Sequence, residues 1–353
     1  MKLNDTIAAI ATPAGEGGIS VIRISGEKAF NVIEKIFFKD KLKKKNINIE
    51  NEFSHTIHFG YVFDDHDLLD EVLISVFKNP NSFTGEDIIE ISSHGGTFIS
   101  QKILSLLIIK GVRSAGPGEF TQRAFLNGKI DLAQAEAIAD LIRSKTESAH
   151  ASSIKQLEGS LSDLVKKIRQ DIINIISLVE LELDFAEEGL EFVKKEEIKS
   201  MTEDLSIKLE KIISTYISGK VIREGVKLVI AGKPNSGKSS LFNFLLKTNR
   251  SIVNEAAGTT RDYIEESIII NGILFNLVDT AGLRLSGDII ESEGIRRSHK
   301  MISDADLIIY LIDSSQNEVN VNEDIDSYDN NFDKEKSIHV FSKSDIETKG
   351  IDH

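Results

Sequence analysis

The stretch GKPNSGKS, residues 232–239, decides the fold of the chain around it. The apolar run VKLVIA, residues 226–231, precedes it and predicts a buried strand. The sequence SLFNFLL, residues 240–246, follows it and predicts the first turns of a helix. A strand, a loop with the spacing GxxxxGKS and a helix, in this order, are typical of a phosphate-binding loop, or P-loop. Its backbone N–H groups and the helix N-terminus favour bound phosphates.

The side chains of this loop have separate predicted roles. Lys238 can reach the β and γ phosphates of a nucleotide, and the Ser239 hydroxyl can ligate Mg²⁺. A glycine-rich turn that binds nothing is the alternative, and the flanking strand and helix argue against it. The residues predicted to contact the nucleotide here are Asn235, Ser236, Gly237, Lys238, Ser239 and Ser240.

The segment after the P-loop helix carries two motifs that fit the γ phosphate and its cation. A loop with Gly-Thr-Thr at residues 258–260 suits a switch, because the Thr260 hydroxyl can sense Mg²⁺ and the γ phosphate. Asn271 and Gly272 then predict a hairpin turn. The second strand of that hairpin leads to Asp279, which can hold Mg²⁺ through water. The residues assigned to nucleotide contact in these motifs are Asn254, Glu255, Ala256, Ala257, Gly258, Thr259, Thr260, Asp279, Thr280, Ala281 and Gly282.

The last motif in this order selects the base. A strand predicted over residues 337–341 leads to Ser-Lys-Ser-Asp, residues 342–345. The Asp345 carboxylate can accept hydrogen bonds from guanine N1 and N2, which favours GTP over ATP. A P-loop, Gly-Thr-Thr, Asp-Thr-Ala-Gly and Lys-x-Asp in this order predict a GTPase. Ser342, Lys343 and Asp345 are the contacts predicted here.

Hydrolysis needs more than these motifs supply. Leu283 follows Asp-Thr-Ala-Gly, at the position where Ras-type enzymes carry a water-orienting Gln. A leucine cannot orient water, and no arginine finger is evident within the chain. Glu291 is the candidate for the missing polar group, and a solvated acid at a helix start is the alternative.

Composition and charge limit the other classes of function. The chain has 353 residues, enough for two or three domains, and a formal charge of −14, which argues against a general polyanion binder. It has no cysteine, which excludes disulfides and thiol chemistry. We expect a cytoplasmic protein, because the first residues lack a signal-peptide pattern and the apolar runs are too short to span a bilayer.

The patterns predict a multidomain protein of the α/β and α+β classes. Alternating strands and helices predict a small α+β domain over residues 1–118. Helical periodicity follows, with one helix over residues 154–183 and another over 196–219. The apolar stripes of these helices need a further partner, either a missing segment or a second subunit. The predicted domains are residues 1–118, a helical domain at 119–219 and a Ras-like P-loop α/β domain at 220–353.

Single polar residues in the first domain are not sufficient by themselves to assign a function. Arg23 lies inside an apolar strand, where a charged residue is more often surface-facing than functional. His94 has no partner at metal-ligand spacing, which favours a structural role.

Several further motifs resemble the tRNA modification GTPase family MnmE, also called TrmE. They are residues 5–8 (DTIA), 23–26 (RISG), 82–87 (SFTGED), 94–96 (HGG), 117–121 (PGEFT) and 124–132 (AFLNGKIDL). The resemblance implies an N-terminal domain that dimerises and binds 5-formyl- or 5,10-methylene-tetrahydrofolate, a discontinuous helical domain and an inserted G domain. Arg23, Glu90 and Lys129 resemble the folate contacts, which gives Arg23 a function that its strand alone does not.

The resemblance also implies a source for the positive charge and the polar group that hydrolysis needs. It implies a potassium ion bound when two G domains meet across the homodimer. Asn235 resembles its side-chain ligand, and Glu291 matches the acid that positions the attacking water. The loop that wraps the ion matches Asn254, Ala256 and Thr259.

The family implies a partner and a product. The partner is MnmG (GidA), an FAD-containing subunit that forms a heterotetramer with the GTPase. Together they add a carboxymethylaminomethyl-type group to C5 of the wobble uridine of certain tRNAs.

Two departures from the family pattern change the expectations. Ser342 stands where the family has an Asn that binds the base and braces the P-loop, so we expect weaker nucleotide binding. The sequence ends at His353, just after this motif, so we expect a truncated G domain and helical domain and a poorly soluble or inactive chain.

Two alternatives stay open beside the tRNA-modifying GTPase. One is a regulatory GTPase of ribosome assembly, against which the preceding folate-like domain argues. The other is a non-catalytic fragment that binds folate or dimerises.

Overall fold

A computed structural model describes residues 5–184, 194–249, 265–279 and 301–346. Contacts within the chain divide it into two units, Met1–Glu136 and Ala137–His353. The first unit holds β1 to β7 and α1 to α3. Its strands are β1 (Ile7–Ile10), β2 (Ile19–Ser25), β3 (Phe37–Phe38), β4 (Thr56–Asp64), β5 (Asp67–Phe77), β6 (Ile88–His94) and β7 (Arg113–Ser114). Its helices are α1 (Ala29–Ile36), α2 (Thr97–Ile109) and α3 (Glu119–Leu126).

The strands of the first unit form one sheet in the order β3-β4-β5-β6-β2-β1-β7. Alternate residues point to one side, because the side-chain period of a strand is two. On that side Ile22 and Ile24 of β2 join α1 and α2 in a single buried core. Arg23 therefore lies on the other side, directly opposite Glu90 in the antiparallel pairing of β2 with β6.

Helix α3 packs with the first unit. The buried Arg123 on α3 hydrogen-bonds to the Asp5 backbone oxygen at 2.7 Å, and the Asn127 amide after α3 donates to the Thr84 carbonyl at 2.8 Å. The contacts divide the chain after Glu136, while the sequence-based boundary at residue 118 stays a prediction.

Helices dominate the next segment, as the apolar periodicity predicts. The prediction of one helix over residues 154–183 is wrong, because the helix breaks at Gly159, whose φ of +95° is unfavourable for a side-chain-bearing residue. The second helix also divides, at Thr215, and continues to Glu224 before Gly225. The segments are α4 (Leu132–Arg143), α5 (Glu147–Leu157), α6 (Ser160–Asp184), α7 (Lys195–Ser214) and α8 (Tyr216–Glu224).

The apolar stripes of α6 and α7 are not covered. No described residue of α6, α7 or α8 is buried, and Leu183 and Tyr216 are each 70% exposed. An ion pair between Lys208 and Asp171, at 2.9 Å, joins α7 to α6. The expectation that these helices need a further partner agrees with this exposure.

A five-stranded sheet completes the second unit, in the order β12-β11-β8-β10-β9. All neighbours pair in parallel except β9 and β10, which form the predicted hairpin. Asn271 and Gly272 have φ values of 50° and 80° in its turn, which explains why this dipeptide suits the hairpin. The elements are β8 (Val226–Gly232), α9 (Lys238–Asn249), β9 (Glu265–Ile270), β10 (Ile273–Asp279), β11 (Leu307–Asp313), α10 (Glu318–Asn331) and β12 (Ser337–Ser342).

This sheet is covered on both faces. Leu228 and Ile230 of β8 pack in one core with Phe242 of α9. Val229 and Ala231, one step out of phase with them, pack in the other core, where α10 contributes Val321 and Tyr328. A mostly parallel sheet between helices is the α/β architecture that the sequence predicts for this segment, and the predicted fold class is confirmed.

Candidate functional site

The P-loop joins β8 to α9, as the sequence predicts. Three of its residues have positive φ, namely Gly232 at 139°, Asn235 at 65° and Gly237 at 94°. A Cβ atom on Gly232 would lie 2.5 Å from the Leu311 carbonyl oxygen of β11, so only glycine fits there. The close approach to β11 thus fixes where the loop begins, and the positive φ values that glycine adopts easily determine the path of the loop that follows.

Lys238 lies across the loop that it follows. Its ammonium donates to the carbonyls of Gly232 and Lys233 at 2.8 and 2.7 Å. The Ser236 hydroxyl is fully buried in the loop and has no hydrogen-bond partner among the described residues. A buried hydroxyl of this kind, beside an ammonium and a glycine-rich backbone, fits a ligand with several acceptor oxygens, such as a polyphosphate.

Ser342 braces the P-loop from the end of β12. Its hydroxyl lies 2.7 Å from the Ser236 carbonyl oxygen and 3.2 Å from that of Ile312. Its own carbonyl accepts from the backbone N–H and the hydroxyl of Ser314. The serine thus retains a contact with the P-loop, while the weaker nucleotide binding expected from it stays a prediction. A hydroxyl has one proton to donate, so the Ser342 hydroxyl that donates to the P-loop has no second proton for another acceptor.

The other two predicted contacts of the base motif, Lys343 and Asp345, lie in different surroundings. Lys343 forms a 2.5 Å ion pair with the buried Asp313 at the end of β11. Burial of Asp313 opposes its ionisation, but donation from Lys343 and Ser315 outweighs burial and holds the pKa of this carboxyl below its usual value. Asp345 is exposed, so its carboxylate is accessible to a base.

The cation-binding predictions fall partly within the described residues. Ser239 and Asn235 are exposed on the loop. Asp279 ends β10 in register with Ile230 of β8, so its backbone lies beside the strand that leads into the P-loop. The remaining predicted residues lie outside the described residues, namely Asn254, Glu255, Ala256, Ala257, Gly258, Thr259, Thr260, Thr280, Ala281, Gly282 and Glu291.

Lys233 connects the P-loop to α10 in a way that the sequence motifs do not predict. Its ammonium lies 2.6 Å from Oδ1 of Asp324, which is 1% exposed. This proximity raises the pKa of the Lys233 ammonium.

A second group of candidate residues lies in the first unit. The Arg23 guanidinium contacts the Glu90 carboxylate at 2.7 Å, and both side chains are about one quarter exposed. The Arg23 guanidinium also lies 5.2 Å from the ring centroid of Phe83 and 5.6 Å from that of Phe120. Sequence reasoning missed the two rings, because neither is near Arg23 along the chain.

Lys129 reaches the same loop that carries Phe83. Its ammonium donates to the Pro80 carbonyl at 3.0 Å. A Cβ atom on Gly85 would lie 3.1 Å from Cγ of Lys129, so glycine makes room for this side chain. The structure thus brings Arg23, Glu90 and Lys129 to the surroundings of one loop, residues 80–85.

An ionic network holds α3 in the first unit. Arg113 binds both oxygens of the Glu119 carboxylate at 3.0 and 2.5 Å, and the buried Arg123 contacts Asp5, Glu86 and Glu119. Donation from Arg113, aided by the Gly116 N–H and Arg123, outweighs burial and lowers the pKa of Glu119 to about 2.

His94 bonds to Asp70 through its backbone N–H and its ring, which agrees with the structural role expected for it. Among residues 5–184, 194–249, 265–279 and 301–346, no group of three or more His, Asp or Glu side chains could hold a metal ion. The described helices include none with the length and apolar character needed to cross a membrane.

The parallel sheet, the P-loop and the brace from the base motif define a P-loop protein of the GTP-binding class. Two family models match the chain, that of the GTP-binding protein TrmE N-terminus over residues 6–129 and that of the MnmE helical domain over residues 132–353. The chain belongs to the MnmE family of tRNA modification GTPases, a family of enzymes.

Individual relatives agree with this membership. The tRNA modification GTPase MnmE of Christiangramia forsetii is 44% identical over 351 residues, which cover 98% of this chain and 73% of the relative. That of Clostridioides difficile is 46% identical over 346 residues, covering 98% and 74%. Among solved structures, the G domain of the T. maritima FeoB iron transporter matches with 31% identity and a TM-score of 0.24, over 34% of this chain and 73% of that one. A TM-score this low adds no support for the fold.

Proposed function

We propose that this chain binds GTP at the P-loop, hydrolyses it, and acts in the modification of tRNA. The observation that supports this best is the P-loop itself, with its glycine conformations, the Lys238 ammonium across it and the Ser342 brace behind it. Backbone N–H groups and Lys238 bind the phosphates, and Asp345 accepts from guanine.

Two cations are part of this proposal. Ser239, Thr260 and Asp279 would hold Mg²⁺, and the exposed Ser239 fits this role. Asn235, Asn254, Ala256 and Thr259 would hold K⁺, and Asn235 is exposed on the P-loop. When bound, both ions offset the negative charge on the phosphates. Glu291 holds the attacking water, a role that Leu283 cannot take.

The first unit is proposed to bind 5-formyl- or 5,10-methylene-tetrahydrofolate. Arg23 and Glu90 offer a donor and an acceptor for a pterin ring, and Phe83 and Phe120 offer apolar faces against which a planar ring can stack. Lys129 offers a cation for the carboxylates of a folate tail.

The larger assembly is proposed from family membership. The chain forms a homodimer through the first unit and a heterotetramer with MnmG (GidA), which carries FAD. With the folate one-carbon unit, this complex adds a carboxymethylaminomethyl-type group to C5 of the wobble uridine of certain tRNAs. We place this activity in the cytoplasm, where tRNA is modified and used.

GTP hydrolysis by residues 1–353 tests the nucleotide part of the proposal. Phosphate release is measured in K⁺ and in Na⁺, for the unaltered chain, Lys238→Ala and the matched control Lys247→Ala, which alters an exposed lysine of the same helix. If the chain hydrolyses GTP, contrary to the inactivity expected from its sequence, turnover should occur in K⁺ only, be lost in Lys238→Ala and be retained in Lys247→Ala. Equal rates in both salts would rule out the potassium requirement. GDP binding without turnover would favour the non-catalytic alternative.

Binding of 5-formyltetrahydrofolate, measured by calorimetry, tests the first unit. We expect Arg23→Met to weaken binding about tenfold, the effect of removing a charged hydrogen-bond donor. Lys102→Met, at an exposed position of α2, is the control. Equal affinity of Arg23→Met and the unaltered chain would place the folate elsewhere.

A further inference from the structure

A buried carboxylate on α10 has no explanation in the GTPase motifs. Asp324 is 1% exposed and lies between Val321 and Tyr328, two residues of the same helix that belong to the buried core. A carboxylate in such surroundings is strongly unfavourable unless a cation accompanies it. Asp324 therefore has a partner whose position matters.

That partner is the second residue of the P-loop. The Lys233 ammonium lies 2.6 Å from Oδ1 of Asp324, and within the described parts of the chain it is the cation at ion-pair distance from this carboxylate. The Lys233 side chain is itself 42% exposed, so water could solvate its charge without Asp324. The contact places a cation beside the Asp324 carboxylate at the cost of fixing a flexible side chain of the loop, although Oδ1 has no partner of hydrogen-bond geometry among the described residues.

The same residue supports the phosphate-binding lysine. The Lys233 carbonyl accepts from the Lys238 ammonium at 2.7 Å, and the neighbouring Gly232 carbonyl accepts at 2.8 Å. Gly232 is held by its close approach to β11, and Ser236 is held by Ser342. Lys233 lies between these two fixed points. Its ion pair with Asp324 adds a restraint from α10 to the hydrogen bonds that its carbonyl accepts from the Ser236 N–H and the Lys238 ammonium.

We propose that Asp324 is a positioning residue for nucleotide binding. Through Lys233 it holds the first half of the P-loop, and hence the carbonyl that orients Lys238, in the conformation that receives the phosphates. The inference rests on the proposed binding of a guanine nucleotide at this loop. It adds α10, which carries none of the GTPase motifs, to the elements that set phosphate affinity.

A purely structural role for the ion pair predicts a different response. If Asp324 and Lys233 only joined α10 to the sheet, their removal would lower stability and leave affinity unchanged. Asp324→Leu separates the two roles, because it removes the buried charge and leaves Lys233 free to be solvated. Replacing a buried charge by an apolar residue of similar volume is often neutral or stabilising, so stability should be kept.

The test uses the full chain and calorimetric titration with GDP and with guanosine, which lacks phosphates. We expect Asp324→Leu to weaken GDP binding about fivefold or more, to leave guanosine binding unchanged and to keep the melting temperature. The matched control is Asp326→Leu, at an exposed position of the same helix, which should bind GDP like the unaltered chain.

Further variants keep the test decisive if Asp324→Leu folds poorly. Lys233→Arg retains a cation and should retain GDP affinity. The double variant Lys233→Met and Asp324→Leu replaces the ion pair by an apolar pair, and its GDP affinity should fall no further than that of Asp324→Leu, since the two residues act through one contact.

The outcomes distinguish this inference from the proposed function. If the unaltered chain does not bind GDP, both are wrong. If it binds GDP and both Asp324→Leu and the double variant bind it equally well, the positioning role alone is wrong. An equal loss of GDP and guanosine binding would also overturn it, because the defect would then not concern the phosphates.

Discussion

Ser342 offers the sharpest single test of how this chain holds its P-loop. In Ser342→Ala the Ser236 carbonyl loses the hydroxyl that donates to it at 2.7 Å. Because Ser236 is fully buried, water cannot simply replace this donor. Leaving a buried acceptor without a partner costs about 1–3 kcal/mol. If about 1–2 kcal/mol of this is needed to hold the loop for phosphates, GDP affinity falls by roughly 5- to 30-fold.

The assay is titration of the full chain with a fluorescent GDP analogue, together with thermal unfolding. Ser342→Thr retains the hydroxyl and should bind like the unaltered chain. Ser344→Ala is the matched control, because it makes the same change at an exposed serine of the same motif. A Ser342→Ala chain whose affinity lies within about twofold of the unaltered chain would refute the brace.

Ser342→Asn extends this test to the base. The Asn amide has two N–H donors, so one can bond to the Ser236 carbonyl while the other stays available for an acceptor on guanine. We therefore expect Ser342→Asn to bind GDP at least as tightly as the unaltered chain. Weaker binding would show that the serine is preferred for a reason other than the brace.

Two further predictions concern the ionic network of the first unit. Arg123→Met should lower the free energy of unfolding of this unit in urea by about 3 kcal/mol. This is the lower end of the range for breaking a buried ion pair, because Arg113 still neutralises Glu119 and Asp5. The control Arg169→Met, at an exposed position of α6, should change stability by less than about 0.5 kcal/mol, and equal stability of the two variants would contradict the reasoning. The folded-state pKa of Glu119, about 2, lies below its ordinary value of 4.5, so its ionised form stabilises the protein above pH 4.5 and that contribution is lost as the pH falls towards 2. Glu119→Gln should therefore flatten the dependence of unfolding free energy on pH in this window, and an unchanged slope would count against the assigned pKa.

Much of the candidate site could be read from local sequence. The spacing GxxxxGKS between an apolar run and a helical pattern was sufficient to predict the β8–loop–α9 unit, because glycine conformations and periodicity act over a few residues. Asn271 and Gly272 predicted their hairpin for the same reason. The local pattern gave a wrong prediction at Gly159. The apolar periodicity continues through this residue but the helix ends there, so one predicted helix is in fact α5 and α6.

The sequence by itself determined the strand, P-loop and helix around residues 232–239, the hairpin turn at Asn271 and Gly272, and the order of the GTPase motifs. Only the tertiary structure decided that Ser342 braces Ser236, that Asp324 pairs with Lys233, and that Arg23 meets Glu90 with two aromatic rings close to its guanidinium. Arg23 and Glu90 lie 67 positions apart along the chain, and Ser342 and Ser236 lie 106 apart. Such pairs form through sheet order and register, which bring distant side chains within hydrogen-bond distance. The energy of burying a polar group depends on that partner, which the neighbouring residues in the sequence do not specify.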